Sequence, residues 1–424
     1  MSSNLDFKID CLGKPTHPSP LNLSTKIGDG LPKFVDDSKR ILYQIATDVD
    51  HPEDLTQQGL LELAGPRQNT FFEPNAIHAA IVTCGGLCPG LNDVIRSLVL
   101  TLWHQYGVRR ISGFQFGYRG LLPEFNLDPI SLTPESVVSI HQDGGTILGS
   151  SRGYGDRTEE MADTLEKMDI NMLFTIGGDG TQRASLDLSR ALKDRGTHLA
   201  VVGIPKTIDN DINFVQRTFG FATAVSVADN VVSGAHVEAS GAPNGIGLVK
   251  VMGRHSGYIA AATAIANNDV NFVLIPEVPF DLKGENGFLH HLEERISSRG
   301  HAVIVVAEGA GQNLLEAEDT EDASGNKRLG EIGIYLADRI KGFFKNRKQE
   351  VELKYFDPSY SIRSTPANSV DSFYCTRLGA HAVHAAMAGK SELIVSFLHG
   401  HFVHVPIDLA TAERNVVDTE GVLW

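Results

Sequence analysis

Apolar and polar positions change their rhythm at Ile77. Upstream, the chain holds many polar residues and prolines and few apolar runs, and DDSKRILYQI (36–45) reads as a short helix. From Ile77 onward, short apolar runs that end in glycine alternate with stretches of helical period. AAIVTCGG is followed by LNDVIRSLVLTLWHQYG, where Val94, Leu98, Leu102 and Tyr106 recur at helical spacing. NMLFTIGGDG precedes TQRASLDLSRALKDRG, and LAVVGIPKTIDND precedes FATAVSVADNVVSGAHVEA. NGIGLVKVMGR, a strand, leads into HSGYIAAATAIANN. NFVLIPEV reads as a buried strand, FLHHLEERISSRG as an amphipathic helix, and HAVIVVAEGAG as a strand with a glycine turn before the helix GEIGIYLADRIKGFFKN. Strand–helix alternation predicts parallel sheets with helices on both faces. Runs such as AVIVVAEG suit strands buried on both sides.

The pattern is too long for one sheet. Two Rossmann-like α/β domains with parallel-rich sheets are expected, behind an N-terminal extension over 1–75. The first α/β domain is placed at 76–220, the second at 221–364, and a C-terminal segment, 365–424, returns to the first. At 424 residues, with 42% hydrophobic and 21% charged, the chain can build cores of that size. Its formal charge of −15 argues against nucleic acid and anionic membranes as partners, so an anionic ligand must be held by local cations. Four cysteines in such a chain are no disulfide framework. No targeting segment or apolar run of membrane length is seen, and a soluble, cytoplasmic protein is expected.

In doubly wound sheets ligands sit at the carboxyl ends of strands, so the chemistry should lie in the loops that end these runs. CGGLCPG (84–90) lies between strand and helix, where backbone N–H groups can face a phosphate, though a tight turn explains it as well. GGDGT (177–181) repeats the geometry and adds Asp179. A carboxylate beside phosphates makes sense when Mg²⁺ lies between them, since Mg²⁺ takes one or two carboxylates and completes its shell with water and phosphate oxygens. The bland alternative is a helix cap. PKTIDND (205–211) brings a lysine, a threonine and two aspartates together, enough for a general base or for a polar turn. MGR (252–254) and EGAG (308–311) close two more strands. A metal, a base and positive clamps are what phosphoryl transfer requires.

Taken in order, GG-x-x-PG, GGDGT, PKTIDND, MGR and AEGAG resemble the 6-phosphofructokinase family, above all its longer-chain, pyrophosphate-related branch, which includes ATP-dependent members. FGYRG, TFGFATA and DPSYSIRS extend the resemblance over roughly 76–388. It implies the phosphofructokinase fold and phosphoryl transfer to O1 of fructose 6-phosphate in glycolysis, with ATP and Mg²⁺. By the same resemblance Gly85, Arg152, Gly178, Asp179, Gly180 and Thr181 contact the donor, and Asp179 is the magnesium ligand. Asp209 is the base, with Thr207 and Ile208 lining the sugar site. Met252, Gly253 and Arg254 contact substrate, Arg254 also stabilising the moving group; Glu308 binds the sugar, and Tyr360 and Arg363 its phosphate. Thr207, Asp209 and Arg254 are the catalytic set.

Gly180 and Lys206 set the donor. Pyrophosphate-using relatives carry Asp at the position of Gly180, where its carboxylate would repel a nucleotide's α-phosphate. Lys206 stands where short bacterial ATP enzymes carry Gly and pyrophosphate enzymes carry Lys. ATP is favoured because long-chain ATP-dependent members combine this lysine with the glycine; pyrophosphate is the alternative. A homo-oligomer, with a tetramer as the expected state, follows from the family. The allosteric behaviour of the short bacterial enzymes is not carried over, because Gly245 stands where they have an arginine that reaches a neighbouring subunit's sugar phosphate. A silent sugar-phosphate-binding regulator is a rival from another class, opposed by the joint presence of Asp179, Asp209 and Arg254. NAD and diacylglycerol kinases share GGDGT but lack PKTIDND followed by MGR. HGHFVHVP (399–406) reads as a strand before a zinc site, His290 and His291 as a solvated face, and the acidic run 316–328 as a mobile surface loop.

Overall fold

The computed structural model describes residues 5–46, 59–315 and 328–424. Most of the acidic run, 316–327, lies outside the described residues. The chain divides into two compact units. The described parts of Met1–Thr207, Ile212–Phe219 and Pro366–Arg414 form the first, and those of Ile208–Asp211, Gly220–Thr365 and Asn415–Trp424 the second. The chain therefore passes between units inside PKTIDND and again between Arg414 and Asn415.

In the first unit five parallel strands form the centre of a nine-stranded sheet. They run Leu393–Leu398, Ala200–Pro205, Met172–Gly177, His78–Thr83 and Arg110–Phe114 in spatial order. The strands at His78, Met172 and Ala200 are buried at every position, as expected of strands covered on both faces. Val94, Leu98, Leu102 and Tyr106 are all buried. Their helix spans Leu91–Leu100 and continues through Thr101–Tyr106 as a wider turn. His401–Pro406, Leu60–Leu63 and Arg40–Leu42 add antiparallel strands on one edge.

The sequence expectation of a helix at 36–45 is therefore corrected to a strand. A ten-residue helix is marginal on its own, whereas Leu60–Leu63 offers Arg40–Leu42 a ladder of unpaired backbone groups. The edge is locked by a buried ionic cluster: Glu62 Oε1 meets Arg67 Nη2 at 3.0 Å, Lys390 Nζ at 2.7 Å and His404 Nδ1 at 2.9 Å. Two of the three histidines of HGHFVHVP go to separate partners, His404 to Glu62 and His399 to the Tyr43 carbonyl.

The second unit is built on four parallel strands, Phe272–Leu274, His301–Ala307, Gly245–Val251 and Glu352–Phe356 in spatial order. The two central strands are buried almost throughout. NFVLIPEV falls at the edge, so Phe272 and Val273 are only half-buried rather than enclosed as expected. His290 and His291 lie beside Glu294 on the open face of the helix Phe288–Arg299. No helix among the described residues is long and apolar enough to cross a membrane.

Candidate active site

The first unit holds Gly85, Arg152, the 178–181 turn, Lys206 and Thr207. Three neighbouring parallel strands deliver all of these but Arg152, because His78–Thr83, Met172–Gly177 and Ala200–Pro205 end side by side. Gly178 is the N-cap residue and Asp179 begins the helix Asp179–Asp194, so the acid sits at the positive helix end. Gly85 adopts φ +89°, and a Cβ there would lie 2.9 Å from Lys206 Nζ. That ammonium is buried and donates to the Gly86 carbonyl at 2.7 Å, so its charge is fixed beside the first loop. The Lys206 N–H donates to the Gly177 carbonyl at 3.0 Å and ties the third loop to the second. Gly85 N–H donates to the Ser151 carbonyl at 2.9 Å, bringing the exposed Arg152 to the same edge. Tyr118 donates to the Thr181 carbonyl at 2.6 Å.

Two residues the sequence reading missed complete this half. Gln182 is buried, and its amide donates to the carbonyls of Thr175, Gly177 and Ile204 at 3.1, 3.0 and 3.3 Å. One side chain thereby joins two strand ends to the helix that starts at Asp179. Gln182→Leu should cost about 1–3 kcal/mol through those lost bonds. A thermal unfolding midpoint equal to that of the parent protein would contradict this. The second is Arg414, whose Nε lies 3.8 Å from Asp179 Oδ2. Its partner is more than 200 positions away, which leaves no local signal in the sequence.

The donor set suits magnesium. Asp179 is largely buried and stands at a helix start, and no cluster of three or more metal-ligating side chains exists among the described residues. A single carboxylate is what Mg²⁺ uses when phosphate oxygens and water supply the rest. Burial pushes the Cys84 thiol up to about 12, and Cys88 donates to the Phe219 carbonyl.

The second unit holds Ile208, Asp209, Met252, Gly253, Arg254, Glu308, Tyr360 and Arg363. Asp209 is half-buried, with its Oδ1 withdrawn from solvent. Desolvation, and then the charges of Asp211 and Glu308, push its carboxyl up to about 8. The Arg254 backbone N–H and the Arg363 guanidinium pull the other way. Glu308 is also raised by burial, against the charges of Lys250, Arg254 and Arg363. The Asp209 loop is pinned at its backbone. Ser256 Oγ donates to the Asp209 carbonyl at 3.3 Å. Asn415 donates through its N–H to Asp211 at 3.0 Å and through its side chain to the Asn210 carbonyl at 3.1 Å.

Gly253 takes φ +129°, and a Cβ there would lie 2.4 Å from the Ser256 carbonyl oxygen, so the MGR turn admits no side chain. Buried Lys250 reaches Glu331 at 2.7 Å and Asp357 at 2.9 Å. Asp357 in turn accepts from Ser359, which starts the short helix Ser359–Ser364. That helix carries Tyr360 and Arg363, with the guanidinium 5.2 Å from the exposed tyrosine ring. Ser256, Asn415 and the Lys250 anchor escaped the sequence reading because each acts on its neighbours' backbone or on another side chain.

Comparison with known proteins decides the family. The family model described as phosphofructokinase matches residues 78–386. The chain belongs to the phosphofructokinase family. An ATP-dependent 6-phosphofructokinase of Borreliella burgdorferi is 53% identical, over 100% of this chain and 96% of the relative. One of Amycolatopsis methanolica is 47% identical, over 99% and 93%. Another, of Trypanosoma cruzi, is 48% identical, over 86% and 75%. Among solved structures, a pyrophosphate-dependent phosphofructokinase of Marinobacter aquaeolei matches with a TM-score of 0.68, over 81% of this chain and 86% of that one. At 20% identity that likeness concerns the fold alone.

Proposed function

We propose that this protein transfers the γ-phosphoryl group of ATP to O1 of fructose 6-phosphate, giving fructose 1,6-bisphosphate and ADP, the phosphofructokinase step of glycolysis. The environment of Asp209 carries this reading: a desolvated carboxyl whose proton affinity is raised toward neutrality suits a general base. Asp209 takes the proton of the sugar 1-hydroxyl as the O1–phosphorus bond forms. The bond from phosphorus to the bridging oxygen breaks, and ADP leaves with the electron pair. Arg254 carries a positive charge to the transferring group, and Thr207 and Ile208 line the sugar. Met252 and Gly253 shape the same turn, Glu308 accepts from sugar hydroxyls, and Tyr360 and Arg363 hold the sugar phosphate.

On the donor side, Gly85, Arg152 and the Gly178–Thr181 turn bind the phosphates, and Lys206 adds a fixed charge. Asp179 would hold Mg²⁺, which supplies neutralisation of the donor's phosphates. ATP rather than pyrophosphate is supported by Gly180 and by the full-length similarity to proteins named ATP-dependent. The four free thiols support a reducing, cytoplasmic setting. A homo-oligomer, with a tetramer as the expected state, rests on the family resemblance alone. The deciding assay supplies purified protein with fructose 6-phosphate and Mg²⁺, and either ATP or pyrophosphate alone. Turnover with ATP is expected; turnover with pyrophosphate only would reverse the donor assignment, and none with either would refute the activity.

A further inference from the structure

The last turn of the first unit is held unusually well for a surface segment. The helix Ile407–Ala412 packs on the helix Asp179–Asp194. Arg183 Nη1 donates to the Thr411 carbonyl at 3.1 Å. Arg414 then forms an antiparallel backbone bridge with Ile212. This anchoring brings the Arg414 guanidinium to Asp179, at 3.8 Å, with the arginine side chain 37% exposed and the aspartate 11%. An ion pair this long and this exposed is worth about 0–1 kcal/mol, yet it spends an arginine on the carboxylate at the head of the donor turn.

We propose that Arg414 is a donor-binding residue: its guanidinium neutralises Asp179 while the site is empty and turns to the donor's phosphate oxygens when a metal-bound polyphosphate arrives. This rests on the donor reading given above. Electrostatics supports the exchange. A divalent cation on Asp179 repels a guanidinium from that carboxylate, and phosphate oxygens present a fork that arginine binds bidentately. Lys206 is poorly placed for this task because its ammonium is buried against the Gly86 carbonyl, whereas Arg414 is partly in solvent.

The test uses the full chain with Arg414→Ala, Arg414→Gln and Arg414→Lys. Calorimetry without sugar phosphate measures Mg·ATP binding, and Mn²⁺ alone is followed by electron paramagnetic resonance against an Asp179→Asn background. Arg414→Ala and Arg414→Gln should weaken Mg·ATP by about ten- to a hundredfold, the worth of a charged hydrogen bond, with Arg414→Lys between them and the parent. The KM for fructose 6-phosphate should stay within about twofold, as expected for a contact on the donor alone. In the same variants free Mn²⁺ should bind Asp179 more tightly, by roughly threefold or more, because a competing cation is gone. Opposite signs for donor and metal cannot come from a lost strut. Unchanged Mg·ATP affinity overturns the proposal, and so does a joint loss of donor and Mn²⁺ binding with a lower unfolding temperature. Should the parent protein bind no nucleotide at all, the ATP reading fails, and the Mn²⁺ comparison with pyrophosphate as the donor probe still reports on Arg414.

Discussion

Asp209→Asn should lower turnover by about 10²–10⁴-fold, the usual worth of a general base, while the affinity for fructose 6-phosphate stays nearly unchanged. Asparagine keeps the size of the side chain and can still accept the Arg254 backbone N–H through its carbonyl oxygen. What it loses is the ability to take a proton. The parent enzyme should show an acid limb in kcat/KM for fructose 6-phosphate, falling as pH drops below about 8, because the base must be ionised in the free enzyme. Asp209→Asn should lack that limb.

Stability should move in the opposite direction. The folded carboxyl is raised above its ordinary value, so its contribution to stability is full at low pH and is lost as pH rises through about 8. Asp209→Asn should therefore unfold at a higher temperature than the parent at pH 8–9, the gap closing toward pH 4. Turnover close to that of the parent would end the assignment of the base. A variant less stable than the parent at pH 9 would contradict the buried-charge account.

Gly180→Asp should abolish ATP use and leave the fold intact. A Cβ built at position 180 meets no atom within 4 Å, and the backbone there is ordinary helix. Replacing glycine inside a helix gains a few tenths to about 1 kcal/mol, and a carboxylate in the first turn is favourable to the helix dipole. The damage falls on the ligand. Two unit charges about 4 Å apart at an effective dielectric of 20 repel by about 4 kcal/mol, near a thousandfold in affinity for each such pairing with an α-phosphate oxygen. ATP saturation curves and a thermal melt read the two effects separately. Undiminished ATP saturation in a folded variant would overturn Gly180 as the donor determinant.

Much of the proposed site was legible because phosphate-binding motifs are local. Around GGDGT and MGR a strand end, a glycine turn and a helix start lie within a dozen positions, so these motifs carry their own geometry. The alternation of apolar runs and helical periods determined the α/β class, since each element's burial pattern is written in its own residues. Edges were not legible. The strand at Arg40–Leu42 and the half-buried Phe272 depend on what lies beside them, and sheet order is absent from a one-dimensional pattern. Nor could periodicity show that the chain changes units inside PKTIDND, because that boundary is set by packing.

The sequence by itself thus determined the family and the alternating elements, and it marked the residues of the proposed reacting centre, since short-range backbone geometry dictates such motifs. The tertiary structure alone decided what holds the candidate residues in place: Gln182 across three carbonyls, Lys250 between Glu331 and Asp357, Asn415 on the Asp209 loop and Arg414 at Asp179. These contacts join groups that are distant along the chain or bind to bare backbone, and a backbone carbonyl has no letter in the sequence.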